Sequence, residues 1–236
     1  MNGSPRPAPE PSPADVLGWD VRTWAPALHI WDRALTDLGG APLRALEVGA
    51  GPGGPSVWLA MKGHRVLCTN LAATESMARP LAERFGVVDR IEFRDVDLLE
   101  GLPHREEFDV VVFKSVLGGL GDDPANARAV IEDLRLALRP GGLLLFAENI
   151  RGCWLHRLAR RAAMRARGTS WRYPTLRELR EILGGFAEVE LHTRGVLAVL
   201  GVRESQREAL ARIDEAVLDR VVPPALRYMA FGVARR

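Results

Sequence analysis

The chain has 236 residues, 47% hydrophobic and 26% charged, which suits one α/β domain with a sizeable core. A net charge of +2 does not describe a polycation built as a whole for nucleic acid. No apolar run approaches the roughly 18 to 20 residues of a membrane span. The amino terminus is rich in proline and lacks the apolar centre of a secretory signal. Cys68 and Cys153 are too few for a disulfide framework, and together these features predict a cytoplasmic protein.

Residues 1–13 hold five prolines among small polar residues, and the composition predicts a disordered tail. Residues 15–38 carry apolar side chains at helical spacing, with Pro26 starting or kinking the helix and Gly39-Gly40 ending it. From residue 43 the texture changes. Short apolar runs at 43–48, 65–70, 91–96, 108–113 and 143–147 read as buried strands. Helices are expected between them at 53–62, 74–85 and 125–138, the last with Val130, Ile131, Leu134 and Leu138 on one face. Strands that alternate with helices, each strand almost wholly apolar, mean a parallel sheet covered on both faces. Beyond residue 150 the sequence predicts a basic helix at 154–167 and a helix at 175–183 with a Thr175/Glu178 capping box. A strand is expected at 187–192, a helix at 203–221 with Leu210, Ile213, Val217 and Leu218 on one stripe, and a last strand at 226–234.

The most informative segment is Ala45-Leu46-Glu47-Val48-Gly49-Ala50-Gly51-Pro52-Gly53-Gly54, where a strand ends in glycines and a helix leaves them. Glycines there allow a tight turn and the close approach of a nucleoside-bearing ligand. Gly49, Gly51 and Gly54 fit a dinucleotide fingerprint, and Gly49, Gly51 and Gly53 fit a GxGxG loop. A dinucleotide site usually has an acid at the end of the second strand, where this chain has Asn70. Downstream lie Phe108-Asp109-Val110-Val111-Val112 and Leu138-Arg139-Pro140-Gly141-Gly142-Leu143.

In this order and spacing, the glycine loop, Glu47, the fourth-strand segment and the Pro-Gly-Gly turn resemble class I S-adenosylmethionine-dependent methyltransferases. The resemblance implies an α/β fold with a Rossmann-like seven-stranded, mostly parallel sheet, helices on both faces and an antiparallel last strand. It also implies an N-terminal helix and a helical insertion after the fifth strand that form a lid. The domain would run from 14 to 236, with 14–40 and 151–185 as lid segments around a cofactor core at 41–150 and C-terminal elements at 186–236. S-adenosyl-L-methionine is then the expected cofactor. Glu47, Gly49, Ala50, Gly51 and Gly53 match the methionine side. Asn70 and Leu71 match the ribose side, Asp97 and Leu98 the adenine side, and Lys114 and Ser115 the end of the fourth strand. Asn70 departs from the family's usual acid and loses a charged bidentate contact.

Of 32 basic residues only Lys62 and Lys114 are lysine, so Lys114 at the mouth of the site is a candidate for holding an anion or acting as a base. If the acceptor is a hydroxyl, His29 and His156 are the candidate bases, because both fall in the lid segments. Trp24, Glu148, Asn149, Arg157 and Trp171 are the candidate acceptor contacts. No second acid is placed for a metal pair. Eight arginines and no acid lie between Glu148 and Glu178, while Trp154, Leu155, Leu158 and Ala162 give the helix an apolar side. That segment reads as an acceptor lid, as a peripheral membrane contact through 151–167, or as a solvated face. The expected partner is a small molecule, with oxygen as the first choice of methylated atom and nitrogen or carbon as alternatives, and no nucleic acid, because the basic run is local and lacks an aromatic platform. The rival readings are lipid methylation, a non-catalytic cofactor-binding protein and a nicotinamide-dependent oxidoreductase.

Overall fold

The computed structural model describes residues 10–40, 42–167 and 171–236. Of the expected disordered tail, residues 1–9 lie outside the described residues. Ser12 is ordered and caps the first helix, α1 (Pro13–Leu17), in a reciprocal capping box with Asp15. The single helix expected at 15–38 is in fact two. Gly18 (φ 78°) ends α1, Asp20 adopts φ 50°, and α2 then runs Val21–Leu38 with Pro26 inside it.

The remaining elements follow the alternation read from the sequence. They are β1 (Arg44–Val48), α3 (Gly54–Met61), β2 (Arg65–Asn70), α4 (Thr74–Arg84), β3 (Ile91–Asp95), β4 (Phe108–Lys114), α5 (Pro124–Ala137) and β5 (Leu138–Asn149). After them come α6 (Trp154–Arg167), α7 (Leu176–Ile182), β6 (Glu188–Arg194), α8 (Glu204–Ile213) and β7 (Met229–Arg235). The seven strands form one sheet in the order β3-β2-β1-β4-β5-β7-β6. The pairs among β1 to β5 are parallel, and β7 is antiparallel to both β5 and β6. The Pro140-Gly141-Gly142 turn is absorbed into β5 as an irregularity, since Phe108 pairs with Leu138 and Val110 with Leu143.

Each face of the sheet has its own core. Ala45, Val110, Val112 and Leu145 meet α2, α3 and α4 on one side. Leu46, Val111, Phe113 and Leu144 meet α5 and α7 on the other. A strand buried on both faces must be apolar at every position, which is why β1, β4 and β5 read as continuous runs. The 14–40 segment is only in part a lid. α2 packs on β5 and β7 with Trp24 and Trp31 fully buried, and Trp31 Nε1 donates to the Gly232 carbonyl at 3.1 Å. The stripe expected on 203–221 is not a buried one. Ile213 and Val217 are exposed, and a π-helical segment at 214–218 buries Asp214 instead. The Asp214 carboxylate accepts the backbone N–H groups of Val196, Leu197 and Ala198 at 2.9 to 3.0 Å. No described helix is long and apolar enough to cross a membrane.

Candidate active site

The carboxyl ends of β1, β4 and β5 open into a cavity of about 720 Å³, closed from above by α1 and α6. A crevice at the carboxyl ends of parallel strands, where the strand order reverses beside β1, is where open α/β sheets bind ligands. The floor is the glycine loop. Gly51 has φ 50°, and a Cβ there would meet no protein atom within 4 Å, so its open side faces ligand space. Gly54 is constrained in the opposite way. A Cβ there would lie 2.3 Å from the Val16 carbonyl oxygen and 2.6 Å from that of Asp15, because α1 rests directly on the start of α3. This glycine cradle fits a cofactor that brings its methionine end against backbone.

Of the residues that the resemblance assigns to the cofactor, Glu47, Gly49, Ala50, Gly51, Lys114 and Ser115 line the cavity, and Gly53 is not on its wall. Glu47 is buried, and its carboxyl accepts the Ser56 backbone N–H at 2.8 Å and the Ser56 hydroxyl. Burial pushes its pKa up to about 8 despite those hydrogen bonds. Asn70, Leu71, Asp97 and Leu98 stand at the carboxyl ends of β2 and β3, beside the loop and not on the wall of the main cavity. Asn70 donates to the Ala72 carbonyl at 3.3 Å, and Asp97 accepts the Leu99 N–H at 2.9 Å. Asp95, the other acid at that strand end, is occupied with the N–H groups of Ala73 and Thr74 at the start of α4.

Lys114 does not reach out to water. Its ammonium lies 4.7 Å from the Trp19 ring centroid and 4.6 Å from that of Trp24. Desolvation lowers its pKa to about 8, opposed by Glu148, Asp20 and Glu204. Ser115 follows with φ 54°, a strained backbone for a residue other than glycine. Its hydroxyl accepts from Asn149 Nδ2 at 2.8 Å. The Asn149 amide oxygen in turn accepts from Arg160 Nη2 at 3.2 Å.

Arg160 is the residue the sequence reading did not single out. It is only 7% exposed and lies on the cavity wall, stacked over Tyr173 at 3.9 Å. It also donates to the carbonyls of Ile150 (2.6 Å) and Tyr228 (3.3 Å). No described carboxylate forms an ion pair with it, and burial lowers its pKa. Trp171 and Arg207 complete this side, with Arg207 5.4 Å from the Trp19 ring centroid.

Five of the expected site residues are placed elsewhere. His29 is exposed on α2 and faces a separate recess beside β6. His156 is buried away from the cavity, where Nδ1 accepts the Cys153 N–H at 3.1 Å and Nε2 meets the Val196 carbonyl at 2.6 Å. Both of its ring nitrogens are thereby engaged, and burial lowers its pKa. Trp24 is fully buried beneath Lys114. Glu148 is also fully buried and accepts the N–H groups of Val116, Leu117 and Asn149 at 2.7 to 2.8 Å. It fixes the turn after β4 and makes no contact across the cavity. Arg157 points to solvent.

Comparison with known proteins agrees with this geometry. Residues 46–144 match the methyltransferase domain family. A tRNA 5-carboxymethoxyuridine methyltransferase from Escherichia coli is 33% identical over 130 residues, which are 54% of this chain and 48% of that protein. The chain therefore matches about half the length of this curated relative. An S-adenosylmethionine-dependent methyltransferase structure from Mesorhizobium loti superimposes with a TM-score of 0.59 at 21% identity, covering 87% of this chain and 97% of that one. Phosphoethanolamine N-methyltransferase 2 from Haemonchus contortus superimposes with a TM-score of 0.61 at 18% identity, covering 90% of this chain and 52% of that one. At these identities the two structures share the fold. Residues 46–144 thus match a methyltransferase domain, and the chain shares the fold of S-adenosylmethionine-dependent methyltransferases, whose cofactor is S-adenosylmethionine. The expectation of no nucleic-acid partner is corrected, because a relative 33% identical over 130 residues is a tRNA methyltransferase, which makes a nucleic-acid acceptor plausible. The physical ground for that expectation also fails, since an aromatic ring, Trp154, does stand exposed among the arginines of α6.

Proposed function

We propose that this chain transfers a methyl group to a carboxylate oxygen of an acidic acceptor, and that Arg160 holds that carboxylate. The observation that carries this reading is a buried guanidinium on the cavity wall that forms no ion pair with a carboxylate of the described residues, with Glu148 acting on it only at longer range. A buried charge without a counter-ion is costly, and a planar fork of donors matches a carboxylate. Lys114 is a second cation on the same wall that has no ion pair with a described carboxylate. One of the two can serve the carboxylate of the cofactor itself, which leaves the other for the acceptor.

S-adenosylmethionine supplies, when bound, a methyl group already activated by its sulfonium. The residues of the chain have to orient the acceptor oxygen and exclude water. Trp19, Trp171 and Tyr173 wall the cavity for the second task. The acceptor oxygen attacks the methyl carbon while the carbon–sulfur bond breaks and its electron pair goes to sulfur. A carboxylate is already deprotonated near neutral pH and needs no base, which suits a cavity with no histidine among its described lining residues. The carboxylate belongs either to a small free acid or to a modified nucleoside of the kind named for the Escherichia coli relative.

The test uses methyl-labelled S-adenosylmethionine with a panel of small carboxylic acids and with unfractionated tRNA. A methyl ester releases its label as methanol in mild alkali, and alkali-labile label is the expected result. Alkali-stable label would place the methyl on nitrogen, carbon or an ether oxygen and overturn the reading. Cofactor binding with no transfer to any acid would favour the non-catalytic alternative.

A further inference from the structure

We propose that the outward face of α6 is a docking surface for an RNA strand, placed so that a nucleotide of that strand reaches the cavity behind the helix. This rests on the reading of an acidic acceptor above and names what carries that acceptor. The helix is amphipathic in the inverse sense. His156 and Arg160 are turned inward and buried, whereas Trp154 is 71% exposed and Leu158 60% exposed. Arg157, Arg161 and Arg165 are exposed beside them. A helix that only needed to close the cavity would bury its tryptophan and leucine and hydrate its arginines.

The charge pattern of this helix is concentrated. On other helices several surface arginines pair with an acid one turn away, as in Arg79 with Glu75, Arg177 with Glu181 and Arg212 with Glu208. α6 has no acid in its sequence, and none of its described outward arginines forms an ion pair with a described residue. Unneutralised guanidinium forks match phosphates, and an exposed indole is a stacking platform for a base. A membrane surface fits less well. Trp154 and Leu158 cover about one turn of the outward stripe, and Arg161 and Arg165 follow on the same stripe, so no continuous apolar face is available to enter lipid.

The inner face of the same helix gives Ala159, Arg160 and Met164 to the cavity wall. Phosphates held outside are therefore about one helix diameter, roughly 10 Å, from the acceptor subsite. A nucleotide turned out of its stack could enter the cavity past the helix, as enzymes that modify bases require.

Fluorescence anisotropy with a fluorescein-labelled RNA stem-loop, in the presence of S-adenosylhomocysteine, tests the surface. The full chain is expected to bind with an affinity that falls as salt rises. The double variant R161E/R165E is expected to lose at least roughly tenfold in affinity and to flatten the logarithmic salt slope by about 1.4, two phosphates' worth for a single strand. W154A is expected to weaken binding by at least roughly fivefold with the salt slope unchanged, because stacking carries no charge. Thermal stabilisation by S-adenosylhomocysteine should be the same in all three proteins, which shows that the variants are folded. Absence of salt-dependent RNA binding by the unaltered chain, or equal binding by the variants, overturns the proposal. Loss of binding to phosphatidylglycerol vesicles with RNA binding unaffected overturns it in favour of a lipid surface. Methyl transfer to free acids by the unaltered chain is measured separately. If it persists without RNA binding, only the docking surface is lost, and if label reaches neither free acids nor unfractionated tRNA, the acceptor reading falls.

Discussion

At the scale of single residues, the site rests on three side chains that hold charge or protons where water is scarce: Glu47, Lys114 and Arg160. Replacing Arg160 with Met keeps the length of the side chain and removes the fork. The acceptor KM is expected to rise roughly 10- to 100-fold, the usual worth of a charge-assisted hydrogen bond. S-adenosylhomocysteine affinity should be unchanged by calorimetry, and a matching loss there would assign Arg160 to the cofactor. Glu47 makes a prediction about stability and pH. Its folded pKa of about 8 lies above its ordinary value of 4.5, so the native state holds the extra proton. That contribution is complete below pH 4.5 and is lost as pH rises through 8. Glu148, raised to about 7, acts with the same sign. Lys114, lowered to about 8 from 10.5, acts oppositely above pH 8. In melting curves, Glu47→Gln should therefore gain on the unaltered protein between pH 5 and pH 8. A constant gap across that range would mean that Glu47 is ionised throughout. The glycine loop, Lys114, Ser115 and Asn149 could be placed at the cavity from sequence because strand ends fix where they stand, whereas Trp171 reaches it from the stretch between α6 and α7. His29 and His156 could not be placed in that way. A helical position predicts neither which face is buried nor which carbonyl, such as that of Val196, lies across from it.

At the scale of elements, the same contrast holds. β1, β4 and β5 were readable because burial on both faces forces unbroken apolar runs bounded by glycine or proline. Which face of α6 turns inward was not legible, since Trp154, Leu155 and Leu158 look like the buried side of any helix. What decides it is long-range: the carbonyls of Ile150, Tyr228 and Val196 offer buried acceptors that only Arg160 and His156 can use. The break between α1 and α2 was hidden for a related reason. Asp20 in the left-handed region is held from outside its own segment by Tyr228, and locally by Thr23. α1 itself is held by the Asp15–Arg84 pair at 2.8 Å and by its close seat on Gly54. Two alanine substitutions separate the roles of the loop. Gly54→Ala drives a methyl into the α1 carbonyls and should lower the melting temperature and cofactor affinity together. Gly51→Ala meets no protein atom and should cost about 1 to 2 kcal/mol through its positive φ, with a larger fractional loss of S-adenosylhomocysteine binding. Equal effects of the two in both assays would mean that the loop is purely structural.

At the scale of the molecule, the sheet has an unusual dependency. Among the described residues β6, an edge strand, pairs only with β7, and β7 follows β6 in sequence although it lies inside the sheet. Removing residues 229–236 deletes Met229, Phe231 and Val233 from one core and Ala230 and Ala234 from the other. It also removes the acceptor for Trp31. The truncated chain is expected to bind a hydrophobic dye and to lose its cooperative melt, while a normal melt would show that β1 to β5 are sufficient alone. The order of synthesis follows from the same arrangement. On the ribosome, β1 to β5 can pair as they emerge, but the flank of β5 stays open until β7 follows. For that interval a fully apolar strand edge, Leu143 to Ala147, is unpaired in the cell, a template for pairing with a neighbouring nascent chain. The arrival of β7 thus closes this edge, and the exposure of the edge to chaperones should end there.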